Sequence, residues 1–246
     1  MKKIVFIADF FVHQVQGGAE IYDNILISEL KKMGCKVATF NSQDFGVKHF
    51  ELYLNSGYHF IISNFMLLSE QVKRRLEATG DRYIILEHDH KYLINRNPAE
   101  FKDFLAPKQK LANITFYKLS KKVMCQTQKH KEVLSKNLNI NNVESLGMSL
   151  WSEEQIKILR NANKIKNNKA FVMKDPNPIK GCHRAEQHCK ENNISYDLVE
   201  KLPYEDFINT LSKYEKFVFF PTTLESFSRV ILEARMLDCK VITNSL

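Results

Sequence analysis

Two carboxylates eight residues apart, Glu225 and Glu233, stand where an apolar run gives way to a helix-period segment in PTTLESFSRVILEARMLDCKVIT, residues 221–243. The run KFVFF stops at Pro221, two Thr follow, and Glu225 falls in the turn before the periodic stretch. Eight residues of helix span about 12 Å and return to within roughly 80° of the starting face. The pattern predicts a strand that ends, a turn carrying one acid, and a helix from Ser226 onward carrying the second acid two turns down. The first N–H groups of such a helix, those of Phe227, Ser228 and Arg229, lack an intrahelical acceptor and attract an anion. An anion seat flanked by two acceptors of hydroxyl protons matches a sugar nucleotide, which runs hexose, diphosphate, ribose. Two acids at this spacing are common by chance; the strand, Pro, turn and amphipathic helix around them give the pair its meaning.

Other residues invite chemistry less specifically. Gly17-Gly18 lies between a first apolar run and a helix-period segment. Glycine there lets backbone approach a phosphate, or makes a tight turn. The sequence EHDH, residues 87–90, closes another apolar run. On an extended backbone His88 and His90 face one way and Glu87 and Asp89 the other, so one metal would need further convergent ligands. His88 at a strand's carboxyl end is placed to hydrogen-bond a sugar hydroxyl or a reacting oxygen, or to bond backbone as a partly buried side chain. In GCHRAEQHC, residues 181–189, Cys182 and Cys189 lie about 10 Å apart on a helix, too far for one zinc. No metal is expected. Lys174 and Lys180-Gly181 flank a loop after a strand run, where two ammonium groups clamp a diphosphate or serve as surface lysines.

The elements that must position these residues alternate throughout. Strand runs are expected at 3–8, 35–41, 58–64, 83–88, 121–127, 170–174, 195–200, 216–221 and 239–243, and VESLG, 143–147, closes the first half. Helices are expected at 19–33, 68–79, 129–138, 152–163, 182–193 and 203–214, besides the one after Glu225. Ser152 is the expected cap of its helix. Such alternation implies α/β units with parallel sheets covered on both faces. A polar break near 147–152 divides the chain into domains 1–147 and 148–246, and ligands of such sheets bind beyond the carboxyl ends of the strands.

The 246 residues are 44% hydrophobic and 26% charged, a globular balance that needs no disulfide staple. Five widely spaced Cys read as reduced thiols of a cytoplasmic protein. The first apolar run is broken by Asp9 and reads as a strand rather than a leader, and no run approaches the ~18 residues that span a bilayer. A net charge of +8 suits an acidic partner, whether nucleotide, nucleic acid or anionic membrane surface, or else a lysine-rich solvated surface.

Taken together, the motifs resemble those of the retaining GT-B glycosyltransferases, specifically glycosyltransferase family 4. Residues 221–243 keep that signature's Pro221, Glu225, Phe227, Glu233, Ala234 and Val241-Ile242. Gly17-Gly18 with Glu20 looks like its G-G-x-E loop, His88-Asp89 like its H-D pair, and Lys180-Gly181 like the K-G of its phosphate loop. The resemblance implies two Rossmann-like domains facing across a cleft, with acceptor on the first and nucleotide-sugar donor on the second. It implies hexosyl transfer with retention at the anomeric carbon, with no metal or other cofactor. In the implied site Lys180 neutralises the diphosphate together with Lys174, which replaces the usual Arg. Glu225 contacts the hexose, Glu233 the ribose, His88 the sugar or reacting region, and Gly18 the phosphate. The acceptor (glycan, lipid, protein or nucleic acid) and the oligomeric state are not implied. Ser226 and Ser228 stand where the family has glycines, and the sequence stops at Leu246 without the family's closing helices. A GT-B-like module that binds nucleotide or polyanion without turnover is the alternative.

Overall fold

A computed structural model describes residues 1–244. Contacts divide the chain into two compact units, Met1–Leu150 and Trp151–Leu246. All nine expected strand runs form, a tenth forms at Val143–Ser145, and every pairing between them is parallel.

The first unit runs β1 (Lys3–Ala8), α1 (Gly18–Lys32), β2 (Lys36–Asn41), α2 (Val47–Asn55), β3 (His59–Ile62), α3 (Glu70–Thr79), β4 (Tyr83–Glu87), α4 (Ile114–Leu119), β5 (Lys122–Cys125), α5 (Gln128–Leu138) and β6 (Val143–Ser145). Its sheet order is β2-β1-β3-β4-β5-β6. Both faces are covered, so β1 reads as an unbroken apolar run: Ile4, Phe6 and Ala8 pack on Tyr22 and Ile27 of α1, while Val5 and Ile7 are equally buried. Helix starts are fixed by hydroxyl caps, Ser69 Oγ accepting from Val72 N at 3.4 Å and Thr127 Oγ1 from His130 N at 3.1 Å. Helix α2 has no counterpart among the expected elements. It is a short helix with one buried residue, Phe50, whose ring stacks on Phe60 at 5.4 Å. Helix α4, of 6 residues, was likewise not expected.

The second unit runs α6 (Glu153–Asn161), β7 (Asn167–Met173), α7 (Cys182–Glu191), β8 (Tyr196–Val199), α8 (Tyr204–Leu211), β9 (Tyr214–Phe219), α9 (Arg229–Met236) and β10 (Lys240–Thr243), with sheet order β10-β9-β7-β8. Ser152 caps α6 as expected, in a reciprocal box with Gln155 whose two bonds measure 3.0 and 3.1 Å. Side chains alternate across the sheet: Phe171, Phe217 and Phe219 face α6, α8 and α9, whereas Ala170, Val172 and Val218 face α7.

Several boundaries shift by a few residues from the sequence reading, and three of the shifts have a visible cause or consequence. Strand β7 starts at Asn167, inside a tract expected as loop, because Asn167 N reaches Lys213 O at 2.7 Å. The first unit keeps residues 148–150, since Leu146 and Leu150 pack on the β1 core and Ser149 meets Gln126 at 3.4 Å. Helix α9 starts at Arg229 rather than Ser226. No described helix is long and apolar enough to cross a membrane.

The Phe171 ring is 1% exposed and meets Phe207, Tyr214 and Phe217 with centroids 5.3–6.0 Å apart. Phe171→Ala is expected to destabilise the second unit by about 3–5 kcal/mol, read from urea unfolding. A loss below about 1 kcal/mol would show that this layer is not packed as described.

Candidate functional site

The second sheet reverses direction at β7. From β7 the chain passes through α7 on one face to β8, then through α8 on the other face to β9, on β7's far side. The carboxyl ends of β7 and β9 therefore flank a topological switch point, where the loops leaving two adjacent strands diverge and a ligand finds a crevice. Those loops are 174–181 and 220–228.

They are joined closely. Gly181 sits at φ +64°, and a Cβ on it would lie 1.7 Å from the Phe220 carbonyl oxygen. Only glycine combines that conformation with that approach. Thr222 N donates to Ile179 O at 3.0 Å, and Lys180 Nζ lies 3.2 Å from Glu225 Oε1. Two residues singled out 45 positions apart thus form one ion pair at the switch point. In the same loop the Thr223 and Ser228 hydroxyl oxygens are buried without a hydrogen-bond partner. Because α9 begins at Arg229, its unpaired first-turn amides are those from Arg229 onward, and Ser226, Phe227 and Ser228 belong to the loop that leads into it.

Glu233 lies deeper, 2% exposed. Its Oε1 accepts from Trp151 Nε1 at 2.9 Å, Tyr204 OH at 3.2 Å and Arg229 NH2 at 3.5 Å. Burial raises this carboxyl above the ordinary range in spite of the three donors. The Arg229 carbon lies 4.5 Å from the Trp151 ring centroid, a stacked cation. Arg229–Glu233 is legible in the sequence as an (i, i+4) pair; Trp151 and Tyr204, far from it in the chain, are not. Lys174 is not brought to Lys180's partner. It pairs with Glu200 at 2.6 Å, both side chains being more than half exposed.

The first unit holds the other candidates. Gly17 caps α1 and Gly18 is its first residue. A Cβ on Gly17 would lie 2.4 Å from Glu20 Oε2, so the turn is filled by the acid that follows it. His88 is 4% exposed, with Nε2 at 3.4 Å from Asp23 Oδ1 and Nδ1 at 3.3 Å from Gln126 Oε1. Burial opposes a charge on this ring, but Asp23 outweighs it and the imidazole titrates above its usual value. Of EHDH only Glu87 is in the strand, and His90 has φ +57°, so the expected alternation is broken. Glu87 and Lys91, both fully buried, pair at 3.2 Å, and Tyr117 OH also bonds the acid. Burial works to raise Glu87, yet Lys91 and Tyr117 hold it below the ordinary range. His90 Nδ1 instead meets Tyr92 OH at 3.0 Å. Along α7, Cys189 is core and His188 packs on Phe220. Among the described residues no three His, Cys, Asp or Glu side chains converge to hold a metal ion.

No protein-family model matches the chain, and no curated protein matches it in sequence. Solved structures do. An alpha-glucosyltransferase in complex with UDP and a 13-mer DNA superimposes with a TM-score of 0.52 at 8% identity, over 98% of this chain and 79% of that one. Anabaena HepE in complex with UDP and glucose gives 0.52 at 15% identity, over 99% and 80%. The UDP-forming alpha,alpha-trehalose-phosphate synthase of Burkholderia vietnamiensis gives 0.56 at 9% identity, over 98% and 82%. The likeness is one of fold: two parallel, Rossmann-like α/β units of the GT-B type.

The His88 ring, paired with Asp23, makes stability depend on pH. Its folded pKa is raised, so its contribution to stability is complete below the unfolded value near 6.5 and is lost as pH rises through the folded value. The destabilisation caused by His88→Gln, followed by urea unfolding, is expected to be larger at pH 6 than at pH 9. A difference independent of pH would show that Asp23 does not hold an imidazolium.

Proposed function

We propose that the protein is a glycosyltransferase that moves a hexose from a nucleoside diphosphate sugar to a hydroxyl-bearing acceptor, with retention at the anomeric carbon. The observation that carries this reading is the Lys180–Glu225 pair at the carboxyl ends of β7 and β9. An incoming diphosphate competes for the Lys180 ammonium and releases Glu225. The freed carboxylate then accepts hydrogen bonds from the hexose hydroxyls. Lys180 and the first-turn amides of α9 stabilise the charge that grows on the departing diphosphate, the task a metal performs elsewhere, so no metal is assigned. The anomeric C–O bond to the diphosphate breaks and a bond to the acceptor oxygen forms. Retention follows when that oxygen enters on the face the diphosphate leaves, with a diphosphate oxygen taking its proton. Glu233 is assigned to the ribose. Lys174 is left as a second cation available to the diphosphate once Glu200 is exchanged. Three structural neighbours support this reading: an alpha-glucosyltransferase with UDP bound, HepE with UDP and glucose bound, and a UDP-forming trehalose-phosphate synthase.

A second reading, a GT-B-like module that binds nucleotide without turnover, is favoured by the engagement of both acids with protein donors and by Ser226 and Ser228. Release of free sugar or glycosylated product from a panel of nucleotide sugars separates the two; binding with no turnover across the panel would leave only the module.

Two variants probe the exchange. Lys180→Ala is expected to weaken UDP binding about 10- to 100-fold while leaving uridine binding nearly unchanged; equal losses would remove the diphosphate clamp. Glu225→Ala is expected to lower transfer at least about 100-fold without weakening UDP, because it removes Lys180's competing partner. A parallel loss of UDP affinity would place Glu225 in folding or phosphate binding instead.

A further inference from the structure

We infer that Trp151, Tyr204 and Arg229 form a positioning clamp that turns the Glu233 carboxylate so that its second oxygen, Oε2, receives the ribose hydroxyls of the donor. The inference rests on the donor reading above and concerns residues outside the motif that suggested it. Three donors from three elements converge on one oxygen: Trp151 just before α6, Tyr204 at the start of α8 and Arg229 at the start of α9. A carboxylate oxygen offers about two lone-pair directions, so Oε1 is filled and the carboxylate cannot rotate without breaking bonds. All three of these bonds end on Oε1, so Oε2 is the oxygen left to accept from a vicinal pair of hydroxyls.

The clamp is itself braced. Arg229 is stacked on the Trp151 ring, and its NH2 lies 3.4 Å from Gln155 Oε1, which also accepts from Ser152 N at 3.0 Å in the α6 capping box. Phe227 packs edge-on against the same indole at 6.3 Å. The indole is therefore fixed on two sides while its N–H points at the acid. These helix starts lie at the carboxyl edge of the sheet, the edge that carries the Lys180–Glu225 pair. A buried carboxylate with one oxygen anchored is a rigid acceptor, and rigidity is what discriminates a ribose hydroxyl from its absence.

The test is a cycle between protein and ligand. The affinities of wild type and Trp151→Phe are measured by calorimetry for UDP, GDP and ADP, and then for the 2′-deoxy form of whichever binds. Wild type is expected to prefer the ribonucleotide about tenfold, and Trp151→Phe to reduce that preference to about threefold or less with the deoxynucleotide affinity unchanged. Tyr204→Phe is expected to act in the same direction, and serves alone if Trp151→Phe does not fold. Trp151→His, which restores a ring N–H, is expected to recover part of the preference. Equal losses for both nucleotides, or a preference untouched by these variants, would overturn the clamp. Failure of the wild type to bind any of the three diphosphates would overturn the donor reading itself.

Discussion

Gly181 approaches the Phe220 carbonyl more closely than any residue with a Cβ could, and it does so in a left-handed conformation. The Lys180–Glu225 part of the candidate site depends on that approach. It locks the loop leaving β7 against the loop leaving β9, which puts Lys180 within reach of Glu225 and leaves α9 starting beside them. The ion pair itself cannot hold this geometry. With Lys180 about one-third exposed, such a pair contributes on the order of 1 kcal/mol or less once solvent screening is counted. The backbone contact, with the Thr222–Ile179 bond beside it, is the rigid part, and the ion pair is the exchangeable one. A site of this kind is preorganised in its amides and adjustable in its charges, as a pocket that binds and then releases a diphosphate requires.

The two units treat buried acids differently. In the second, Glu233 is surrounded mainly by neutral donors and one stacked guanidinium, and burial still raises its pKa. In the first, Glu87 lies against the fully buried Lys91 and is held low, while Asp23 holds His88 high. Buried pairs of the second kind tend to fix one arrangement at some expense of stability, since each partner left alone would be a stranded charge. His88 is thus engaged on both ring nitrogens, by Asp23 and Gln126, rather than an open imidazole.

Much of this was legible in the sequence because it depends on period and punctuation. Nine of the ten strands and the capped helix at Ser152 follow from apolar runs, helical spacing and hydroxyl caps. Glu225 and Lys180 were legible as site candidates through their place at strand ends, and the structure joins them. The misses have physical reasons. Helix α2 buries one side chain and so leaves almost no periodic signal. The start of α9 slips to Arg229 because residues 222–228 are held by contacts to a loop some 45 positions earlier, which no local pattern encodes. Trp151 and Tyr204 are 82 and 29 residues from Glu233, and only the packing of three helices on one sheet face brings them to it. Lys174 shows the converse: at a strand end like Lys180, it is drawn outward by Glu200 across the neighbouring strand β8.

The central claim is that a diphosphate rests at the carboxyl ends of β7 and β9. Titrating UDP into isotope-labelled protein and following backbone amide shifts tests it most directly. The account predicts the largest shifts at Lys180, Gly181 and residues 223–231, with the amides of β7 and β9 just below them following. Shifts confined to other surfaces, such as the cavity of about 470 Å³ beside Lys118 and Asn139, would contradict it.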